Sequence, residues 1–288
     1  MTKLSIIILN YNTKDLTIEC LKSIFNQYDK EISTGFFEII VVDNASSDNS
    51  VSFIKKEKFN IKIIENKENV GFSKGNNIGV KEAEGKYVLF LNSDTQIQDK
   101  GFLRMTEFMD LNDKAAILGG RLENENKSTQ KSAGNFYNVL NLGILLFGGG
   151  KLGFLRKSPA RISRVDWVSG ASLMARKDVF KKIGGFEEKL FMYMEDMEFC
   201  FRAKKKGFTT YYYPNISLLH KEGKSSSRTF AIIHIYEGIL YFFKKYKPKW
   251  QYKVARNMLF TKAKILVVLG KIINNKYLVE TYTKTYKL

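Results

Sequence analysis

A chain of 288 residues that is 44% hydrophobic and 26% charged is too apolar for intrinsic disorder and long enough to bury one large core, or a core with an appendage. Three prolines, no repeat at a period of about twenty to fifty residues and no low-complexity tract exclude collagen-like and solenoid architectures. The formal net charge of +18 is uneven: from residue 221 onward 15 Lys and Arg stand against Glu222, Glu237 and Glu280, a net of +12.

In chain order, apolar runs rich in Ile and Val predict strands at 4–9 (LSIIIL), 37–42 (FEIIVV), 61–64 (IKII) and 86–91 (KYVLFL). Helical periods predict helices at 14–26, 50–58, 74–84 and 102–112. Strands this apolar are expected to be buried on both faces, as in a parallel sheet covered by helices, so the first hundred residues read as a doubly wound α/β unit. The opening MTKLSIIILNYNTK has only a short apolar run and reads as the first strand, not as a secretory signal. Residues 132–150 form the longest stretch without charge, but their apolar centre is about half of what a membrane span needs, so no transmembrane helix is expected. Cys20 and Cys200 sit among apolar neighbours without CxxC or Cys/His spacing, which predicts buried free thiols in a reducing cytoplasm.

In a doubly wound sheet, ligands bind beyond the carboxyl ends of the strands. Those ends are polar here: Asn10-Tyr11-Asn12 after the first strand, DNASSD (43–48) after the second, Asn66 and NVGFSKGNN (69–77) after the third, and Asn92-Ser93-Asp94-Thr95 after the fourth. Asn, Asp and Ser also make turns and helix caps. Four consecutive strands ending in this way are better explained by one shared ligand. A dinucleotide or P-loop site does not fit, because GFSKGNNIG is not G-x-G-x-x-G, and Gly148-Gly149-Gly150 lacks the P-loop spacing and its Lys-Ser/Thr.

Six segments carry a resemblance that covers about residues 3–225: SIIILNYNT, VVDNASSDNS, NVGFSKGNN, LFLNSDT, WVSGASLMARKDVFKKIGGFEE and MYMEDMEFCFRAKKKGF, in that order. Together they resemble inverting glycosyltransferases of family 2. Within that family the chain looks most like bacterial rhamnosyltransferases and related sugar transferases of O-antigen, capsule or cell-wall polysaccharide. The resemblance implies a GT-A fold, a Rossmann-like, doubly wound mixed α/β sheet. It implies a catalytic domain at 1–225, divided into a nucleotide-binding half at 1–100 and an acceptor and catalytic half at 101–225.

Breaking a sugar–diphosphate bond expels a nucleoside diphosphate, whose charge must be met by a divalent cation, basic groups or oriented N–H donors. A hard cation prefers oxygen ligands. By the resemblance, Asp94 holds the last position of a D-x-D motif and is the expected protein ligand of Mn²⁺ or Mg²⁺, unless it only caps a turn. Asn92 replaces the first Asp and removes one negative charge, with Ser93 between them. His220, 24 residues after Asp196, is expected as a second ligand of the metal or the diphosphate; a structural role is the alternative. Asp43 would accept hydrogen bonds from the uracil or thymine ring or the ribose, with Asn10 and Tyr11 lining the same site and Tyr11 offering a stacking surface. Asn44 would line it too, or cap the next turn. Gly71 would allow close backbone approach, while Lys74 and Asn77 would reach phosphate or sugar hydroxyls, unless Lys74 is a solvated surface charge.

The segment 190–202, LFMYMEDMEFCFR, clusters three carboxylates in a basic chain. An inverting transfer is one in-line displacement that needs a single base. If Met194 starts a helix, Met194, Met197 and Phe201 form a core stripe, Glu195 and Glu198 share another face, and Asp196 projects differently from both. Glu198 stands four residues before Arg202, the spacing of a structural ion pair. The resemblance places the base at Asp196, with Glu195 orienting the acceptor or supporting the base. Trp167 would stack on an acceptor sugar, or pack in the core, and Gly170 would admit the acceptor to the backbone. Lys221, Lys224 and Arg228 would reach the leaving phosphates from a lid or lie as surface charge, and His234 reads as structural.

From residue 226 the chain reads as a basic helical extension whose two amphipathic helices have cationic faces suited to an anionic bilayer. The rival is that they pack on the catalytic domain and leave their lysines in water. No nucleic-acid module is visible. The expected partners are therefore a nucleotide-diphosphate sugar, a lipid-linked saccharide acceptor and an anionic membrane surface, with a homodimer left open. The implied function is inverting transfer of L-rhamnose from dTDP-rhamnose at the cytoplasmic face of the cell membrane, peripherally attached. A UDP-sugar donor is the alternative, and a non-catalytic nucleotide-binding membrane protein is the reading from another class.

Overall fold

The structure, a computed structural model, describes residues 1–148, 156–221, 223 and 227–288. Gly149, Gly150 and Lys224 lie outside them. The strands β1 (Leu4–Asn10), β2 (Phe37–Asp43), β3 (Lys62–Glu65) and β4 (Tyr87–Asn92) lie where predicted, joined by helices α1 (Lys14–Ser33), α2 (Ser50–Lys56) and α3 (Gly71–Lys81). Then come β5 (Thr95–Ile97), α4 (Gly101–Leu111), β6 (Ala115–Glu123), β7 (Thr129–Gln130), β8 (Ala133–Gly134), α5 (Val139–Leu146), β9 (Arg156–Lys157) and β10 (Ser163–Val165). The body closes with β11 (Trp167–Val168), β12 (Ser172–Arg176), α6 (Lys177–Ile183), α7 (Glu195–Lys205) and β13 (Thr209–His220). Helices α8 (Arg228–Tyr246), α9 (Lys249–Ile272) and α10 (Lys276–Tyr286) follow.

Among the described residues the main sheet runs β10-β13-β6-β12-β4-β1-β2-β3, with β5 beside β13 and β7 beside β6. β1 pairs in parallel with β2 and β4, and β2 with β3, while β12 is antiparallel to both β4 and β6. The sheet is therefore mixed and doubly wound, as expected. A second, three-stranded sheet, β11-β8-β9, stands beside it.

Successive side chains of a strand point to opposite faces. Ile6 and Ile8 of β1 join a cluster with Leu21 and Ile24 of α1 and with Phe102 and Met105 of α4. Ile7 between them joins the opposite cluster, which holds Val80 of α3, Phe180 of α6 and Phe199 of α7. Burial on both faces explains why β1, β2 and β4 read as continuous apolar runs. β3 departs from that expectation: it is an edge strand with none of its residues buried.

Three elements differ from their predicted limits. α1 runs past its predicted end at 26, through non-helical dihedrals at Tyr28 (φ −130°, ψ 22°). The buried Tyr28 hydroxyl donates to Asp99 O (3.1 Å) and accepts from Phe102 N–H (2.9 Å), which fastens the last turns to the start of α4. α3 begins at Gly71 instead of 74; Gly71 has φ +81° and a Cβ there would stand 2.5 Å from Phe191 O. Only glycine meets both demands without strain. The tail holds three helices where two are predicted, because Pro248 caps α9 and Asn275 caps α10 through Leu278 N–H (3.1 Å).

α8 belongs to the body of the protein. Its Tyr236, Ile239, Phe242 and Phe243 are buried in the same cluster as Met197 and Phe199 of α7, and Phe242 meets Phe201 edge-on at 4.9 Å. Apolar residues around most of its circumference demand that burial.

Candidate active site

The carboxyl ends of β1, β2 and β4 open into a cleft made of two cavities of about 400 and 530 Å³ that share Phe72, Asn92, Asp94 and Met192. Tyr11, Asn44, Gly71 and Ser93, four of the residues expected at the nucleotide sugar, line the first, together with Asn69, Phe191 and Phe230. Asn44 is held by Asn66 (2.8 Å) and donates to Gly71 O (3.1 Å). Tyr11 is exposed and presents a ring at the mouth.

Asn10 and Asp43 lie beneath this cavity, not on its wall. Asn10 Nδ2 donates to Asp43 Oδ1 (2.6 Å) and to Ser46 Oγ (3.0 Å), while its Oδ1 accepts from Thr13 (2.9 Å) and Thr17 (2.7 Å). Asp43 accepts in addition from Ser46 N–H (2.9 Å) and Ser46 Oγ (2.6 Å). These buried bonds shape the floor on which Tyr11 and Asn44 stand. Asn77 is spent elsewhere, clamping Phe186 through its O (2.9 Å) and N–H (2.9 Å), and Lys74 is exposed and lines neither cavity. Lys221, expected near the phosphates, is paired with Glu19 at 2.6 Å.

Asp94 and His220 meet where the cavities join. His220 Nε2 lies 3.3 Å from Asp94 Oδ1, a buried oxygen at which no hydrogen-bond donor among the described residues is directed. Gln130, which no sequence signal marks, sets the imidazole. Its Nε2 donates to His220 O (2.8 Å) and Asn124 Oδ1 (2.7 Å), so its Oε1 faces His220 Nδ1 at 2.8 Å. In a neutral ring that contact puts the proton on Nδ1 and leaves the Nε2 lone pair toward Asp94. Asn92, in place of an aspartate, brings its amide within 3.4 Å of that nitrogen. An unpartnered carboxylate oxygen facing an imidazole lone pair is an arrangement that a divalent cation relieves. Among the described residues no group of three His, Cys, Asp or Glu surrounds it. Such a cation would complete its shell with substrate oxygens and water, as Mg²⁺ does.

The second cavity is lined by Glu195, Asp196, Trp167, Gly170, Tyr137, Arg156 and Arg228, among others. Met194 caps α7, and both Tyr193 (φ 69°) and Met194 (φ 71°) are left-handed without being glycine, a local strain that the packed surroundings sustain. The turn delivers the two acids into the first turn of α7. Asp196 Oδ2 accepts from Gly170 N–H (3.0 Å) and Oδ1 from Met197 N–H (2.7 Å). Gly170, expected to admit the acceptor to the backbone, lines this cavity and holds the acid.

Burial raises the Asp196 carboxyl above its ordinary pKa against the pull of those N–H groups and of Arg156. Burial raises Glu195 further, and the neighbouring Asp196 charge adds to it. Glu195 Oε2 is buried without a partner among the described residues, a state a protonated carboxyl tolerates better than a carboxylate. Both carboxyls are thus harder to ionise than in water, Glu195 through the Asp196 charge as well as through burial. Glu198 has the structural role its spacing suggests: Arg202 Nε lies 2.9 Å from each of its oxygens and Tyr246 Oη donates to it, while Arg202 also binds Ile183 O (2.8 Å) and Gly185 O (2.6 Å).

Trp167 is buried, with Nε1 donating to Asn135 O (3.1 Å) and its ring 5.7 Å beneath the Arg156 guanidinium. Arg156 is the second residue that sequence reading missed; it hides among many surface cations. His234 is stacked on Phe191 (5.6 Å) and bound to Glu237 (2.6 Å), the structural place expected of it.

This geometry meets an independent comparison: the glycosyl transferase family 2 model matches residues 5–184. The chain belongs to glycosyltransferase family 2. Among family 2 relatives it is 27% identical over 237 residues to the low-salt glycan biosynthesis hexosyltransferase Agl10 of Haloferax volcanii, covering 81% of this chain and 72% of that protein. It is 28% identical over 159 residues to the rhamnosyltransferase WbbL of Escherichia coli K12, covering 52% of this chain and 60% of WbbL. The crystal structure of GalNAc-T7 with UDP, GalNAc and Mn²⁺ superposes over 84% of this chain and 50% of that one, with TM-score 0.59 and 15% identity. That likeness shows the GT-A fold.

Proposed function

We propose that this family 2 enzyme carries out inverting transfer of a sugar from a nucleoside diphosphate to a hydroxyl of a lipid-linked saccharide, with L-rhamnose from dTDP-rhamnose as donor. The observation that carries the reading is the half-buried Asp196, held by Gly170 N–H in a cavity continuous with that of Asp94 and His220. The acceptor hydroxyl gives its proton to the Asp196 carboxylate as its oxygen bonds to the anomeric carbon. The bond from that carbon to the diphosphate oxygen breaks on the opposite side, releasing the nucleoside diphosphate with inversion. When bound by Asp94 and His220 Nε2, Mg²⁺ or Mn²⁺ supplies positive charge to the leaving diphosphate. Tyr11 offers its ring to the base, over the floor built by Asn10 and Asp43.

Arg156 and Lys131 line the acceptor side of the cleft, which supports an acceptor that carries phosphate near the reacting hydroxyl, as a lipid diphosphate does. Such an acceptor places the enzyme at the cytoplasmic face of the cell membrane. No helix of the described residues is long and apolar enough to cross a membrane, so attachment would be peripheral. Similarity to WbbL supports rhamnose; the UDP bound to GalNAc-T7 supports a UDP-sugar as the second reading.

Thermal unfolding with dTDP or UDP, with and without Mn²⁺, separates these. A ligand at about a hundred times its dissociation constant stabilises by roughly 2.7 kcal/mol. A Mn²⁺-dependent rise with dTDP supports rhamnosyl transfer, and a rise with UDP alone moves the donor. Asp196→Asn is expected to keep the nucleotide shift and lose about 10²- to 10⁴-fold in turnover; unchanged turnover would remove Asp196 as the base.

A further inference from the structure

The outer side of α9 is apolar and uncovered. Trp250 (60% exposed), Ile265 (46%), Val268 (55%) and Ile272 (73%) fall within one stripe about 60° wide at 3.6 residues per turn. Ala255, Leu259 and Ala263 occupy the opposite side and are fully buried. α5, whose sequence VLNLGILL has no charge, lies against α9 and leaves Leu140 76% exposed. An apolar groove of about 550 Å³, lined by Leu140, Ile144, Trp250 and Met258, joins the two helices into one face. α9 also carries six Lys and Arg and no acid.

We propose that α5 and the outer stripe of α9 form a docking face for an anionic lipid bilayer. α9, about 36 Å long at 1.5 Å per residue, lies in the plane of the interface, its stripe among the acyl chains, its cations at the headgroups and Trp250 at one end. The face differs from the whole basic tail, because α8 turns its apolar Tyr236, Ile239, Phe242 and Phe243 into the body. A second copy of the chain is a poorer occupant: a symmetric contact across the stripe would bring Lys253, Lys264 and Lys271, which flank it, together with their copies without an acid on α9 to pair them. That docking serves to present a lipid-linked acceptor rests on the proposed transferase function; the docking itself does not.

Flotation with vesicles of phosphatidylglycerol and phosphatidylcholine (1:1), against phosphatidylcholine alone, tests the face without acceptor or nucleotide. The full chain is expected to float with the anionic vesicles at least tenfold more strongly than with the neutral ones. Ile265→Ser/Val268→Ser/Ile272→Ser and, separately, Leu140→Ser should each weaken that binding several-fold, with circular dichroism and the nucleotide-induced melting shift unchanged. Failure of the full chain to float, or equal flotation of the triple variant, overturns the proposal. So does a dimer in solution that the triple variant converts to a monomer, since the face would then join two copies. Loss of the nucleotide shift in the unaltered protein would sink the transferase reading and leave the docking result standing.

Discussion

Asp196 and Glu195 resist ionisation where they stand, and the sign of that effect can be followed with pH. A base must be deprotonated, so kcat/KM should fall as the pH drops through the raised Asp196 value, an acidic limb above the ordinary aspartate range. Glu195 holds its proton up to a higher pH than in the unfolded chain. Its contribution to stability is therefore complete below the ordinary carboxyl range and is lost as the pH rises through its raised value. Glu195→Gln keeps the neutral shape. It should leave the melting temperature unchanged near pH 4 and raise it progressively as the pH climbs from the ordinary carboxyl range through the raised value; a uniform drop at every pH would contradict a Glu195 that resists ionisation. Gln130 acts through His220 by setting which nitrogen bears the proton. Gln130→Ala should raise the Mn²⁺ concentration for half-maximal nucleotide-induced stabilisation by about 10- to 100-fold, the usual effect of losing a partner behind a metal-binding histidine, while metal-free melting changes little.

At the scale of elements, the base is only as well placed as α7. Glu198 and Arg202 tie that helix to the 183–185 turn, Tyr246 of α8 bonds to Glu198, and Phe242 fills the space beside Phe201. Phe242→Ala should cost about 3–5 kcal/mol, read as a lower urea midpoint with unchanged slope. If unfolding of the variant matches that of the parent, α8 is not the support described here. Spacing alone revealed the Glu198–Arg202 pair, because residues four apart on a helix are neighbours. The start of α3 was not legible in this way. Gly71 begins the helix because the Phe191 backbone passes close to it from 120 positions away, and no local propensity records such a neighbour.

Across the whole molecule, the basic C-terminal region divides into a helix that completes the core and two that wrap it, with the uncovered apolar stripe on α9. By itself the sequence determined the strand-and-helix rhythm of the first hundred residues, the polar ends of the strands and the family. Those signals are local: a residue's type, its period and its neighbours. Tertiary structure decided which of the polar residues meet the cleft. It put Tyr11, Asn44, Ser93 and Asp94 on the wall, Asn10 and Asp43 beneath it, and Lys74 and Asn77 away from it. It also joined Gly170 N–H to Asp196 across 26 positions and Gln130 to His220 across 90. Periodicity tells which way a side chain leaves its own strand or helix, whereas a site is made where elements distant in the chain bring such side chains together, and only packing sets that meeting.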